Sequence, residues 1–261
     1  MQGFDLLVTP AVAVPAFDVG AAGRMTMDPE DVCDAELARS SSRGWQHGMP
    51  QAIKDTGNAV GLPTTWGSPL LAHNVAAEDS LYVARMKTVG CIVIGKTNVP
   101  EFAMGLHTYN PLFGTTANAW GRSVVAGGSI GGACVALAHR LLPLADGSDF
   151  MGSLRNPACW NHVYGLRPSQ GRVPGWPMAE VWVSQLCTDG PLARTVQDLA
   201  ALLSTQAGFD PRSPLSVAQT GVNFIPSGDE AAGALKELHI GWLGDLGGHL
   251  AVVPTSALSS H

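Results

Sequence analysis

Two short stretches of this 261-residue sequence match patterns that perform chemistry elsewhere. Gly90-Cys91-Ile92-Val93-Ile94-Gly95-Lys96-Thr97 fits G-x-x-x-x-G-K-[ST], the phosphate-cradling loop, letter for letter. That chemistry needs backbone N–H groups converging on an anion from a loop that opens a helix. Cys91 to Ile94 instead read as a buried strand of four, and Pro100 comes too soon for a helix to start at Thr97. A strand and turn is expected there, not a nucleotide site. Gly127-Gly128-Ser129-Ile130-Gly131 fits G-x-S-x-G, the sharp turn that exposes a nucleophilic serine in one class of hydrolases. A Ser-His-Asp enzyme built on Ser129 would need Asp189 or Asp210 as acid and His239 or His249 as base. None of these has a distinctive context. The plainer reading is a helix-opening turn whose glycines permit positive φ and close packing.

A third arrangement is spread along the chain. Lys54 follows the short apolar stretch Ala52-Ile53 and precedes Asp55. Ser129 lies in Gly127-Gly128-Ser129-Ile130-Gly131-Gly132, and Ser153 in Gly147-Ser148-Asp149-Phe150-Met151-Gly152-Ser153-Leu154-Arg155, 24 residues after Ser129. Taken singly, a lysine beside an aspartate at a strand end reads as a solvated ion pair, and a serine in a glycine-rich turn as a cap. Taken jointly, they resemble the amidase signature family. Its members carry a lysine in A-[IV]-K-D, a GGSSGG turn, and G-[ST]-D-x-G-G-S-[IL]-R some two dozen residues later. Gly95-Lys96-Thr97-Asn98, Glu101-Phe102-Ala103, Gly165-Leu166-Arg167-Pro168 and Gly171-Arg172-Val173 resemble further blocks. The likeness runs over about residues 45–205.

The resemblance implies roles position by position. Ser153 would be the nucleophile, Ser129 the bridging serine (held through a cis peptide in the family) and Lys54 the base. The amides of Phe150, Met151, Gly152 and Ser153 would form the oxyanion hole. Ser148 would support the hydroxyl network from behind, with Asp149 and Arg155 in the same loop. The implied activity is cofactor-independent hydrolysis of a C–N bond in a small amide, anilide or carbamate, with esters as further substrates. The physics is coherent. A serine hydroxyl is a weak nucleophile and needs an adjacent base. Lysine serves only when neutral, so its pKa must fall by about three from its ordinary 10.4, equivalent to about 4 kcal/mol. Burial among apolar neighbours such as Ile53 can supply this, because desolvation penalises the cation. Backbone donors converging on the developing oxyanion contribute some 3–4 kcal/mol each in favourable cases. Three other readings stand beside this one: a non-catalytic or vestigial amidase-like fragment, the Ser-His-Asp hydrolase on Ser129, and an amidotransferase component that feeds ammonia to a partner.

Two local departures from the family pattern stand out. Ile130 replaces the second serine of GGSSGG, and Met151 replaces the first glycine of the G-G-S block. Met151 adds a side chain in the oxyanion loop, where it would narrow the pocket or need a φ that glycine takes more easily. A larger departure is architectural. Family members are considerably longer, and His239-Ile240-Gly241-Trp242-Leu243 resembles the strand before their variable second half. Phe4-Asp5-Leu6-Leu7-Val8-Thr9-Pro10 resembles a segment found near their C-terminal end. The order therefore reads as rearranged, with a large middle section absent and Phe4–Val8 adding its strand back beside the core. Unpaired edges and apolar faces would follow, and a homo-oligomer is one way to cover them.

These residues need an α/β scaffold. Gln51 to Asp55 reads as a strand running into a turn, and Asp79 to Val89 as an amphipathic helix ended by Gly90 ahead of strand Cys91–Ile94. The glycines at 127 and 128 open a small-residue helix from Gly131 to about Arg140, followed by a strand from Leu141 that turns at Asp146-Gly147. Asp34 to Trp45 and Thr195 to Leu203 read as helices, and residues 20–33 as a linker. The fold class expected is α/β, a mixed β-sheet flanked by helices, incomplete relative to the family, in a single domain over 1–261.

Composition narrows the partners. The chain is 46% hydrophobic and 14% charged, enough to bury a core, and its net charge of −6 without a basic block argues against nucleic acid. No apolar run is long enough to span a membrane, and Asp5, Pro10 and Pro15 argue against a secretion signal. The five cysteines form no ligand pair and the eight histidines no ligand spacing. No metal, no cofactor, a small-molecule substrate and a reducing cytoplasm are the expectations.

Overall fold

The computed structural model describes residues 6–8, 44–178, 186–218 and 238–242, together with positions 180, 182, 224, 225 and 236. The described elements are strand β1 (Leu6–Val8), β2 (Pro50–Lys54), helix α1 (Leu81–Thr88), β3 (Ile92–Thr97), β4 (Tyr109–Asn110), β5 (Gly114–Thr115), helix α2 (Gly131–Ala138), β6 (Leu144–Asp149), helix α3 (Arg155–Trp160), β7 (Tyr164–Gly165), β8 (Thr188–Ala193), helix α4 (Val196–Gln206) and β9 (Ile240–Trp242). The expected linker and most of the helix expected from Asp34 lie outside the described residues; Trp45 sits in a turn.

Helix α1 starts two residues later than expected. Ser80 takes the cap position, while Asp79 accepts from the Val60 amide and pairs with Lys87 at 2.9 Å. Gly90 then reverses the chain at φ +94, where a Cβ would stand 2.8 Å from His47 Cα. Strand β3 runs parallel to β2, with Lys54 opposite Thr97. That pairing carries β3 past Gly95, three residues beyond its expected end. The phosphate-loop lookalike is therefore strand. Its lysine, Lys96, donates to the Gly57 carbonyl and to Thr64 Oγ1 and lies 3.8 Å from Asp55.

Strand β6 pairs antiparallel with β8, which pairs antiparallel with β7. Asp146-Gly147, expected to turn, lies inside β6, with Gly147 opposite Gly190. The glycines serve close packing: a Cβ at 147 would meet Ile130 Cγ2 at 2.9 Å, and one at 190 the Leu166 carbonyl at 2.5 Å. Strand β2 lies beside β6, so parallel β2–β3 and antiparallel β6–β8–β7 adjoin, and mixed sheets flanked by helices are what form.

Adjacent residues of β2 face opposite ways. Ile53 joins Tyr82, Val83, Met86, Val93 and Leu202 under α1 and α4. Ala52 joins Ile130, Ala133, Leu137, Leu154 and Leu192 under α2. Each fully buried leucine among them contributes about 1.5–3 kcal/mol. Helix α2 owes its small residues to contact: a Cβ on Gly132 would stand 2.5 Å from the Asn98 nitrogen. Helix α4 is capped by Thr195, whose hydroxyl accepts from the Asp198 amide, and it continues to Gln206. Strand β1 pairs in parallel with β9, Leu6 opposite Ile240 and Val8 opposite Trp242. The N-terminal strand, expected to add back beside the core, has β9 as its hydrogen-bonded partner among the described residues.

Candidate active site

Lys54 is the last residue of β2. Residues two apart on a strand share a face, so Lys54 follows Ala52 toward the turn that opens α2. The expected solvated pair with Asp55 does not form. Asp55 accepts from the amides of Thr65 and Gly67 and from the Thr65 hydroxyl. The Lys54 side chain is 1% exposed. Its Nζ donates to Ser148 Oγ at 2.7 Å and the Ser148 carbonyl at 3.3 Å, and lies 2.8 Å from Ser129 Oγ. Burial lowers its pKa from 10.5 to about 8, against the opposing pull of Cys187, Asp189, Asp146 and Asp149. Ile53, expected to desolvate it, turns to the other face.

The backbone of Lys54 is fixed separately. Its N–H donates to Asp146 Oδ2 at 3.1 Å, and the same carboxylate accepts from Tyr82 at 2.9 Å and Gln51 at 3.3 Å. Asp146 is fully buried, and burial raises its pKa. This carboxylate joins β2, β6 and α1 at the base of the site.

Ser129 sits at the N-terminal end of α2, 1% exposed, after a cis Gly128–Ser129 peptide. Thr108 brackets that turn, donating to the Gly127 carbonyl at 2.7 Å and accepting from the Gly131 amide at 3.0 Å. Ile130 points into the core and is fully buried.

The turn after β6 is organised by Asp149, which accepts from the amides of Gly152 (2.7 Å) and Leu154 (3.2 Å) and from Arg155 (2.9 Å). Arg167 lies 3.3 Å away. Burial pushes the Asp149 pKa up, but Arg155 and the amides outweigh it and hold it below the usual range. Of the four amides expected to form an oxyanion hole, that of Gly152 is engaged by Asp149, which leaves Phe150, Met151 and Ser153. Gly152 takes the left-handed φ of +107 and Met151 does not. The Met151 side chain is 78% exposed and outside the cavity, so it does not narrow it.

Ser153 lines a cavity of about 400 Å³ together with Lys54, Ser129 and Ser148. Cys187 and Asp189, at the start of β8, line it too. Burial, then the Asp146 charge, raise the Asp189 pKa to about 7, with Lys54 opposing. Burial likewise raises the Cys187 thiol, which hydrogen-bonds Ser148. The remaining wall mixes apolar side chains (Trp66, Phe102, Met104, Phe150, Trp176 and Met178) with uncharged polar ones such as Thr56, Gln170 and Ser213. Trp66 and Phe102 stand at φ +51 and +54, a region that costs a non-glycine residue about 1–2 kcal/mol. The Phe102 amide donates to the Trp66 carbonyl at 2.7 Å, tying the two strained positions together. Sequence reasoning misses Tyr82, Asp146 and the aromatic wall. Only the position of Asp146 within an apolar stretch could have signalled it.

No histidine is among the described residues lining the cavity. His239 is exposed, His249 lies outside the described residues, and Asp210 is paired with Arg212 at 2.9 Å. The Ser-His-Asp arrangement on Ser129 is therefore not assembled among the described residues. No group of described side chains there could hold a metal ion, and no described helix is long and apolar enough to cross a membrane. The four described cysteines form no disulfide.

Known proteins resemble this chain in sequence and fold. The Amidase family model matches residues 31–253. The glutamyl-tRNA(Gln) amidotransferase A subunit of Nitrosococcus oceani is 41% identical over 189 residues, covering 72% of this chain and 39% of that one. Its namesake from Burkholderia cenocepacia is 38% identical over 224 residues, covering 83% and 45%. Among solved structures, a bacterial aryl acylamidase superposes with a TM-score of 0.68 at 29% identity, covering 78% of this chain and 48% of that one. The peptide amidase of Stenotrophomonas maltophilia gives 0.64 at 33% identity, covering 73% and 40%. The chain thus spans about two fifths of the length of the curated relatives it matches. With its matched residues, its mixed sheets and its lysine beside the glycine-rich serine turn, the chain belongs to the amidase signature family.

Proposed function

We propose that the chain hydrolyses the C–N bond of a small amide, anilide or carbamate, with Ser153 as nucleophile, Ser129 as proton relay and Lys54 as base. The observation that carries this reading is the buried Lys54 amine, 2.8 Å from Ser129 Oγ and 2.7 Å from Ser148 Oγ, in the cavity that Ser153 also lines. A neutral amine has two N–H groups and one lone pair. The Ser148 carbonyl can only accept, and the Ser148 hydroxyl can take the second N–H. The lone pair is then left for the Ser129 hydroxyl, the polarity a relay requires. Lys54 draws the proton of Ser129, Ser129 draws that of Ser153, and the Ser153 oxygen attacks the carbonyl carbon. Amides from the Phe150–Ser153 turn, that of Gly152 excepted, stabilise the oxyanion. The relay then runs backward to protonate the departing amine, and water repeats the cycle on the acyl-enzyme.

Labelling with a fluorophosphonate followed by peptide mass spectrometry tests this. The expected adduct is on Ser153 in the parent protein and is lost in Lys54→Ala. An adduct confined to Ser129 would replace the relay with a different hydrolase. No adduct on folded protein would favour the vestigial fragment.

A further inference from the structure

We infer that the cavity selects uncharged, flat apolar amides and turns away those that carry a carboxylate, glutamine among them. This inference rests on the reading just given, since it names the substrate class of that same site. Its basis is the charge inventory of the wall. Among the described lining residues the only cation-forming side chain is Lys54, and the relay needs it neutral. The arginines nearby are occupied elsewhere, Arg172 with its guanidinium 5.6 Å from the Phe224 ring centroid. Arg155 and Arg167 pair with Asp149, and Arg212 pairs with Asp210 while its guanidinium lies 5.4 Å from the Trp176 ring centroid. None of the four lines the cavity.

The acidic side is well supplied. Asp189 lines the cavity and Asp146 lies beneath it, while Asp149 is balanced by Arg155 and Arg167. A substrate carboxylate would enter without a counter-ion and against these charges, and an unpaired buried carboxylate is strongly disfavoured. Were it to reach Lys54, it would favour the protonated amine and remove the base. The two effects act in the same direction.

The aromatic part of the wall suits an apolar ring. Trp66 and Phe102 occupy one side in left-handed backbone conformations tied by a hydrogen bond. Trp176 carries its own support, since its carbonyl accepts from the Leu81 amide at 2.8 Å and Arg212 packs over its ring. Aromatic walls fixed in this way meet a flat acyl group without having to be ordered on binding.

Three probes of one shape range test the selection: phenylacetamide, 4-carboxyphenylacetamide and glutamine, with ammonia release as the readout at pH 8. The expected kcat/KM for phenylacetamide exceeds that of either carboxylate by at least about 30-fold, equivalent to about 2 kcal/mol. Asp189→Asn should narrow the ratio between the two phenylacetamides, a ratio in which any common change in Lys54 cancels. Comparable rates for all three, or faster glutamine turnover, would overturn the inference. Where release is too slow to read, protection of Ser153 from the fluorophosphonate decides. Slowing by phenylacetamide alone supports the selection, and equal slowing or none removes it. Absence of labelling at Ser153 strikes the catalytic reading instead. Saturation-transfer NMR on the same three compounds then still reads the preference: signal from phenylacetamide alone upholds it, and any other pattern ends it.

Discussion

Lysine 54 offers the sharpest test, because its pKa of about 8 sets a pH profile. An ordinary lysine at 10.5 is neutral in about one molecule in three thousand at pH 7; at a pKa of about 8 the fraction is about one in ten. Burial therefore raises the supply of free base some 300-fold. The rate of Ser153 phosphonylation should climb about tenfold between pH 7 and 9, levelling above the inflection near 8. Lys54→Arg keeps a cation that cannot be deprotonated, so its rate should fall by about a thousandfold or more with the inflection gone. Stability supplies a second readout with a defined sign. Between pH 8 and 10.5 the unfolded chain holds the Lys54 proton and the folded chain does not. Stability therefore rises with pH across that window, by about 3 kcal/mol. Lys54→Met should lose this rise in urea melts. A rate profile flat from pH 6 to 9, or an inflection near 6.5 that survives Lys54→Arg, would refute the base assignment.

Other perturbations test the surroundings. With a folded pKa of about 7 against 3.8, Asp189 keeps its proton in the folded state over that interval, so it lowers stability as pH rises from about 4 to 7. Asp189→Asn should flatten that decline in chemical denaturation and shift the rate inflection of Lys54 to lower pH, because a charge favouring the cation is gone. Asp146→Ala strands the Tyr82 hydroxyl, the Gln51 amide and the Lys54 N–H together; a loss of about 3 kcal/mol or more is expected in urea unfolding, and less than 1 kcal/mol would contradict the structural role. Gly132→Ala presses a methyl against the Asn98 backbone and should lower stability by about 1–3 kcal/mol, read as a drop in melting temperature.

The helices are legible because their signals are local. Thr195 with Asp198 three residues on announces the start of α4, and Gly90 announces the end of α1. Strand limits are less so, since they depend on partners: β3 extends to Thr97 because β2 lies alongside it. Asp146-Gly147 reads as a turn in isolation, yet it sits mid-strand because Gly147 and Gly190 admit the Ile130 side chain and the Leu166 backbone. The positions of Lys54, Ser129 and Ser153 are legible through spacing and resemblance, and the structure places all three on one cavity. The source of the low lysine pKa is not. Ile53 is the nearest apolar residue in sequence, but strand alternation sends it to the opposite face. Asp146, Asp189 and the aromatic wall are brought to the site from distant segments, and of these only Asp146, set within an apolar stretch, carries a local signal.

The pairing of β1 with β9 sets an order of events during synthesis. Leu6–Val8 leave the ribosome long before Ile240–Trp242, so β1 waits for its partner while the segments between them are made. Every intervening element can settle beforehand, because closing so long a loop costs little more than closing a moderate one. Throughout that wait an apolar strand has no neighbour, which makes the nascent chain a client for chaperones and a template for stray pairing. The finished fold, by contrast, brings early and late sequence side by side.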